Sequence, residues 1–359
     1  MQTISVALQN RSYPIWIENG LLAKIPEQLK PMNQGQKWVI FSQSEIISLY
    51  GSTLREGLKF AGFHVELIVL PDGEKAKSLS ALEDVYSNLI KLGCNRSSTF
   101  LALGGGVVGD VTGFIAATFL RGVDYIQIPT TLLAMVDSSI GGKTGVNLPK
   151  GKNLIGAIWQ PKAVVIDPKL LESLPEREIF SAMGEVIKYG CILDKDLFSL
   201  ISDNMDSMLK LSNPELLTEV IGRCVKLKAD IVAEDEHEGD KRRILNFGHT
   251  IGHALETHFG FNKLRHGEAV AYGMLVAGRL SIEELRFKKE DFDLLQEIIG
   301  QLPLPKLPEF DTEEILLIMQ RDKKVKDGKI HFVLLVEIGK AVIVDDVSEK
   351  SIINAMEIL

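Results

Sequence analysis

The sequence predicts an α/β domain built on a doubly wound parallel sheet, followed by a mainly α-helical domain. Three observations carry this. Apolar runs of strand length alternate with amphipathic helical stretches through about residue 170, as in a parallel sheet covered by crossover helices. From about residue 171 the pattern turns to long helical periods with few strand-like runs. The chain has 359 residues, longer than one core usually grows, so two domains are expected, 1–170 and 171–359.

Residues 1–17 read as two short strands around the turn Gln9-Asn10-Arg11-Ser12. Trp38-Val39-Ile40-Phe41 is a buried strand, a helix follows over about 45–61, and His64 to Leu70 is the next strand. It ends at Pro71-Asp72-Gly73-Glu74-Lys75, before a helix with apolar positions Leu79, Leu82, Val85, Leu89 and Ile90. Thr99 to Leu103 is a strand that runs into Gly104-Gly105-Gly106-Val107-Val108-Gly109-Asp110 and a small-residue helix. Glycines after a strand let a backbone approach a pyrophosphate, and the helix N-terminus supplies amide donors. The spacing is neither GxGxxG nor a Walker loop, and a tight strand–helix turn would explain it equally well. After the strand Tyr125–Ile128 and Pro129-Thr130-Thr131, a loop carries Asp137 to Gly145 and Gly151-Lys152-Asn153, with Lys143 among its glycines. Cations and an asparagine in such a setting suit phosphate or carboxylate, or else simply a solvated basic loop. Val164 to Pro168 closes the sheet.

The second half opens with Pro175 at a helix start. Glu185 and Lys188 share a face of that helix among Met183, Val186, Ile187 and Tyr189, so their face is expected to be partly buried. A further helix with Lys226 and Lys228 runs to about Glu234. Asn246 to Glu268 holds four of the seven histidines, His249, His253, His258 and His266. His249 and His253 stand four apart, so their imidazoles share one helix face and can converge on one cation. His266 follows after the loop Phe259–Asn262. Neutral imidazoles suit a zinc-type ion, which as a catalytic centre needs three protein ligands and an open position. The plainer reading is a set of helix histidines bonded to their neighbours. Arg321-Asp322-Lys323-Lys324 precedes a turn at Asp327-Gly328, two strands and a terminal helix.

Composition narrows the function classes. A net charge of -8 offers no general field for nucleic acid or an anionic membrane, so an anionic substrate must meet local cations. Three scattered cysteines form no disulfide framework or thiolate metal site. The N-terminus alternates like a strand and lacks the layout of a signal peptide, and no uncharged apolar run reaches bilayer-spanning length. The chain reads as a cytoplasmic, enzyme-sized protein.

Eight segments, in order, resemble the 3-dehydroquinate synthase family of sugar phosphate cyclases. They are PDGEKAKS (71–78), ALGGGVVGDVTGF (102–114), QIPTTLLAMVDSSIGGKTGVN (127–147), GKNLIGA (151–157), EVIKYG (185–190), LNFGHTIGHALE (245–256), RHGEAVAYGM (265–274) and RDKK (321–324). The resemblance implies a Rossmann-like, nucleotide-binding N-terminal domain and a helical C-terminal domain, with the active site in the cleft between them. It makes Glu185, His249 and His266 the ligands of one divalent ion, zinc or cobalt, and hands His253 to the substrate phosphate. NAD would be bound by Asp72, Gly73, Glu74, Lys75, Lys77, Gly106, Val107, Val108, Gly109, Asp110, Thr130 and Thr131. Asp137, Lys143 and Lys152 would lie near the nicotinamide, and Leu170, Leu171, Glu172 and Ser173 complete the set. Substrate contacts would come from Lys152, Asn153, Lys188, Lys228, Arg242, Asn246, His253 and the Lys323-Lys324 pair. Arg121 resembles the arginine that reaches into a neighbouring subunit, which implies a homodimer. At Ser42-Gln43-Ser44-Glu45 the sequence departs from many relatives.

The implied substrate is 3-deoxy-D-arabino-heptulosonate 7-phosphate. Transient oxidation by NAD+ would acidify a neighbouring C–H, phosphate would leave, the hydride would return, and an intramolecular aldol step would close the carbocycle. Sister cyclases making an inosose or a valiolone share the cofactor residues, but Lys152, Asn153, Arg242 and His253 favour a carboxylate-bearing substrate. A metal-dependent alcohol or glycerol dehydrogenase would need fewer anion-binding residues. A non-catalytic NAD-binding regulator would not need the ligand set.

Overall fold

A computed structural model describes residues 1–149, 151–260, 263–323, 330–345 and 347–359, with the side chains of Asp322 and Lys323 outside the description. Lys324 and the turn at Asp327-Gly328 therefore lie outside the described residues, as does part of the loop before His266. The chain divides into two compact units, 1–174 with 217–237, and 175–216 with 238–359.

The first unit is built on β1 (Gln2–Val6), β2 (Tyr13–Ile17), β3 (Lys37–Gln43), β4 (His64–Leu70), β5 (Thr99–Gly104) and β6 (Asp124–Pro129), with β7 (Lys143–Leu148), β8 (Gly151–Ile158) and β9 (Ala163–Ile166) following. Seven of these form one sheet in the order β1-β2-β9-β6-β5-β3-β4. All its pairings are parallel except β1 with β2, which is an antiparallel hairpin at the edge. Central strands buried on both faces read as continuous apolar runs, and every residue of β5 and β9 is buried. Phe41, Phe100, Val108 and Val111 fill the core on one face, and Trp38, Ile40, Leu101 and Ile126 on the other.

Four expectations need correction. The last strand, β9, does not close an edge but inserts between β2 and β6. The helix expected over 45–61 is interrupted by a wide π-type turn at Ile47–Gly51. The stretch expected as a loop is the antiparallel hairpin β7–β8. Gly145 faces Gly156 across it, and a Cβ on Gly156 would come 2.3 Å from the Thr144 carbonyl oxygen. Glycines at close backbone approaches dilute the alternation by which strands are recognised. Finally, the chain does not pass once between the units. Most of the helix Pro214–Glu234 belongs with the sheet, where Lys228 Nζ donates to the Asp137 carbonyl (2.8 Å) and Oδ1 (2.6 Å).

The second unit is helical. Its main helices are Glu176–Leu193, His249–Phe259, His266–Leu285, Lys289–Gly300 and Thr312–Lys323, with β10 (His331–Glu337) and β11 (Lys340–Asp345) as a hairpin and Glu349–Met356 as the last helix. Among the described residues no helix is long and apolar enough to cross a membrane.

Candidate functional site

In the first unit the chain reverses its direction of travel across the sheet between β3 and β5, and ligands of such sheets lie beyond the carboxyl ends of the strands near that point. The stretches singled out for NAD occupy these ends. Asp72 to Lys77 follow β4, Gly106 to Asp110 follow β5 as the first turn of the helix Gly106–Thr118, and Thr130-Thr131 follow β6. Leu170 to Ser173 form the turn after β9, tied down by the Tyr50 hydroxyl at 2.6 Å from Ser173 Oγ. Leu170 and Leu171 bury their side chains, so only their backbone groups can serve a ligand, and the same holds for Val108. Lys143 and Lys152 begin the two strands of the β7–β8 hairpin and are exposed.

Close packing explains the glycines at this turn. A Cβ on Gly105 would meet Thr131 Cγ2 at 3.0 Å, and one on Gly106 would meet Ser138 Oγ at 2.9 Å. The Thr130 and Ser138 hydroxyls are buried without a hydrogen-bond partner among the described residues. Hydroxyls in that state beside a helix N-terminus suit an oxygen-rich, anionic ligand such as a pyrophosphate. Lys77, 5% exposed, links the parts: its Nζ donates to Asp110 Oδ2 (2.7 Å) and Asn153 Oδ1 (2.5 Å). Burial pushes the Asp110 carboxyl up, and the Lys77 charge draws it only part of the way back. Ser42 is buried with its hydroxyl on the Leu103 carbonyl, and Gln43 bonds the Pro71 carbonyl, so both serve the fold.

In the second unit, Glu185, His249, His253 and His266 converge. The rings of His249, His253 and His266 lie 5.2 to 5.7 Å apart, and their nearest ligand atoms fall within 4.8 Å of one another. Glu185 Oε1 lies 3.3 Å from His249 Nε2 and 3.5 Å from His266 Nε2, while Oε2 accepts from Lys188 Nζ. The helix spacing paired His249 with His253, but it is Glu185, fully buried on another helix, that both His249 and His266 approach.

The tautomers follow from the acceptors. His249 Nδ1 lies 3.2 Å from the Phe247 carbonyl oxygen and His266 Nδ1 3.1 Å from Glu256 Oε2. Neither a carbonyl nor a carboxylate can donate, so each Nδ1 carries the proton and each Nε2 lone pair faces Glu185. Two lone pairs and a carboxylate oxygen pointed together repel unless a cation or proton sits among them. Tetrahedral ligation at about 2.0–2.1 Å sets neighbouring ligand atoms roughly 3.3–3.4 Å apart, close to the separations of Glu185 Oε1 from the two histidine nitrogens. Without a metal the competition falls on protons: burial holds His249 well below its ordinary range. His266 is also disfavoured by burial, but Glu185 and Glu256 outweigh it and push the ring up to about 10.

Family-model comparison matches residues 67–181 to 3-dehydroquinate synthase N-terminal and residues 182–325 to 3-dehydroquinate synthase C-terminal. The chain belongs to the 3-dehydroquinate synthase family. A 3-dehydroquinate synthase of Prochlorococcus marinus is 46% identical over 351 residues, 96% of each chain. Among solved structures, a 2-epi-5-epi-valiolone synthase from Streptomyces hygroscopicus with NAD+ and Zn2+ bound superposes at a TM-score of 0.89, with 28% identity and 98% of both chains covered. A 2-deoxy-scyllo-inosose synthase complexed with carbaglucose-6-phosphate, NAD+ and Co2+ also reaches 0.89, with 26% identity and 99% of both covered.

For this family member, glycines explain how three helices deliver the donors. A Cβ on Gly267 would lie 1.8 Å from the Ser181 carbonyl oxygen, and one on Gly184 would lie 2.2 Å from that of Gly267. The helices Glu176–Leu193 and His266–Leu285 therefore touch backbone to backbone beside Glu185 and His266. Gly273 meets the Gly248 carbonyl in the same way, at 1.9 Å, beside His249. Arg177 fixes the start of the His266 helix by gripping Glu268 at 2.8 and 3.0 Å.

The remaining substrate candidates divide between the units. Lys152, Asn153 and Lys228 belong to the first, and Lys188, Arg242, Asn246, His253 and Lys323 to the second. Arg242 is 2% exposed and Lys188 1%. Asn246 Nδ2 donates to Glu238 Oε1 at 3.2 Å, and His253 is exposed. Arg121 ends an exposed turn in which Leu120 and Arg121 both take left-handed backbone angles, φ 51° and 66°. Sequence reasoning missed Glu256, although it stands seven residues after His249 and so on the same helix face.

Proposed function

We propose that the chain converts 3-deoxy-D-arabino-heptulosonate 7-phosphate to 3-dehydroquinate and phosphate. This is the carbon–oxygen lyase step of the shikimate pathway, with NAD+ and one divalent cation, zinc or cobalt, as cofactors. The observation that carries the reading is 46% identity across 96% of both chains to a 3-dehydroquinate synthase, against 28% and 26% to the sister cyclases.

Glu185, His249 and His266 are the proposed ligands, a choice supported by Glu185 Oε1 lying 3.3 Å and 3.5 Å from the two ring nitrogens; His253, whose ligand atom also lies within 4.8 Å of theirs, is proposed to serve the substrate. When bound, NAD+ would take up and return a hydride while the cation acted as a Lewis acid on the reacting oxygens. Asp72 to Lys77, the Gly106–Asp110 turn, Thr130, Thr131, Asp137, Lys143, Lys152 and Leu170 to Ser173 are proposed to hold the dinucleotide. Lys188, paired with Glu185, presents its side chain beside the donor set and orients substrate oxygens. Lys152, Asn153, Lys228, Arg242, Asn246, His253 and the Lys323–Lys324 pair are proposed to hold the carboxylate and phosphate, fixing the reacting carbons by charge-assisted hydrogen bonds. A cytoplasmic homodimer completes the proposal. The free thiols of Cys94, Cys191 and Cys224 agree with a reducing compartment, and Arg121, exposed on its left-handed turn, is the residue proposed to enter a second copy's site.

A substrate panel tests the reading. With NAD+ and Zn2+ or Co2+ supplied, the heptulosonate phosphate is expected to yield phosphate and 3-dehydroquinate, while glucose 6-phosphate and sedoheptulose 7-phosphate stay inert. Turnover of either sugar phosphate with silence on the heptulosonate would move the chain to the sister cyclases.

A further inference from the structure

We infer that Glu256 is a positioning residue, whose carboxylate fixes the ring of His266 with Nε2 toward Glu185 and so sets the affinity of the cation site. The inference rests on the reading of His266 as a ligand. Glu256 lies on the helix His249–Phe259 between core residues Ala254, Leu255 and Phe259, and is itself only 7% exposed. A carboxylate is costly to bury unless its hydrogen bonds recover the lost hydration. Here Oε2 lies 3.1 Å from His266 Nδ1. Because a carboxylate only accepts, the ring must donate from Nδ1 and keep its lone pair on Nε2, 3.5 Å from Glu185 Oε1.

His249 is oriented differently, by the Phe247 backbone carbonyl. No substitution removes a carbonyl, whereas the orienting group on His266 is a side chain and can be deleted. His266 also stands at the first position of its helix and is a third exposed, so fewer packing contacts hold its ring than hold Glu185. Carboxylates that orient a ligand histidine typically change metal affinity by about 10–100-fold when removed.

The test measures the dissociation constant of Co2+ by competition with a chelator, together with its visible absorption spectrum, on purified full-length protein. Glu256→Ala is expected to weaken binding by about 10–100-fold and alter the spectrum. Glu256→Gln, whose amide oxygen can still accept from Nδ1–H, is expected to stay near the parent. Should Glu256→Ala fail to fold, Glu256→Asp withdraws the carboxylate by one methylene and carries the same expectation. Parent affinity and an unchanged spectrum in the Ala or Asp variant would overturn the inference. His266→Ala separates the two failures: if it too keeps parent affinity, the ligand reading falls first. If it alone loses the ion, only the role of Glu256 falls.

Discussion

At the scale of single residues, His253 is where helix spacing and family resemblance part, for its ligand atom lies within 4.8 Å of those of His249 and His266. Spacing made it the natural partner of His249, and their ring centroids are indeed 5.3 Å apart. Glu185, however, presents Oε1 to both His249 and His266 from a helix more than sixty residues upstream, a relation no local periodicity can encode. The shared face of His249 and His253 was therefore legible in the sequence. The inclusion of Glu185 came only from resemblance, and the orienting role of Glu256 needed coordinates. A prediction separates the roles: His249→Ala and Glu185→Ala are expected to elute from gel filtration without metal. His253→Ala is expected to keep its metal and lose about 10–100-fold in kcat/KM, the worth of one hydrogen bond to a charged group. Loss of metal from His253→Ala would make it a ligand after all.

At the scale of elements, the helices of the metal-binding unit are placed by glycines rather than by large apolar side chains. Gly267 leaves no room for a methyl group, since its Cβ would lie 1.8 Å from the Ser181 carbonyl oxygen. Gly267→Ala is expected to cost about 1–3 kcal/mol or more through overpacking and to weaken metal binding, because Glu185 and His266 flank the contact. Gly300→Ala, where nothing lies within 4 Å, should leave both unchanged or slightly improved. Equal melting and metal affinity in the two variants would refute the account. In the first unit, Arg11 grips Glu236 with two bonds of 2.6 Å, and Gln160 Nε2 adds a third at 2.9 Å, pinning the segment that carries Lys228 to the β1–β2 hairpin. Burial pushes the Glu236 carboxyl up, but Arg11 and Gln160 outweigh it and hold it below the usual range. A lowered carboxyl stabilises above its unfolded value and loses that effect as pH falls through the folded one. Glu236→Gln should therefore cost about 1 kcal/mol at pH 7, a small figure because Arg11 is half exposed and screened. The difference should vanish at pH values below the folded-state titration, and a pH-independent difference in urea melts would contradict this. Most strands and helices were legible because their apolar periods are clean. The β7–β8 hairpin was not, because glycines stand opposite each other where strands usually carry side chains.

At the scale of the whole molecule, the α/β-then-helical architecture could be read from the change of period near residue 171, but two features of topology could not. The insertion of β9 between β2 and β6 depends on which edge the returning chain reaches. The return of 217–237 to the sheet unit depends on long-range partners such as Asp137 for Lys228. Neither leaves a local signal. The acidic chain with its local cations fits a reaction in which a sugar phosphate carrying both carboxylate and phosphate is held and NAD+ ends as it began. The most direct test follows phosphate release from the heptulosonate phosphate and absorbance at the NADH wavelength in one cuvette. Phosphate release is expected to require both NAD+ and divalent metal, with no NADH accumulating. Steady growth of NADH without phosphate would contradict this and mark the protein as a dehydrogenase.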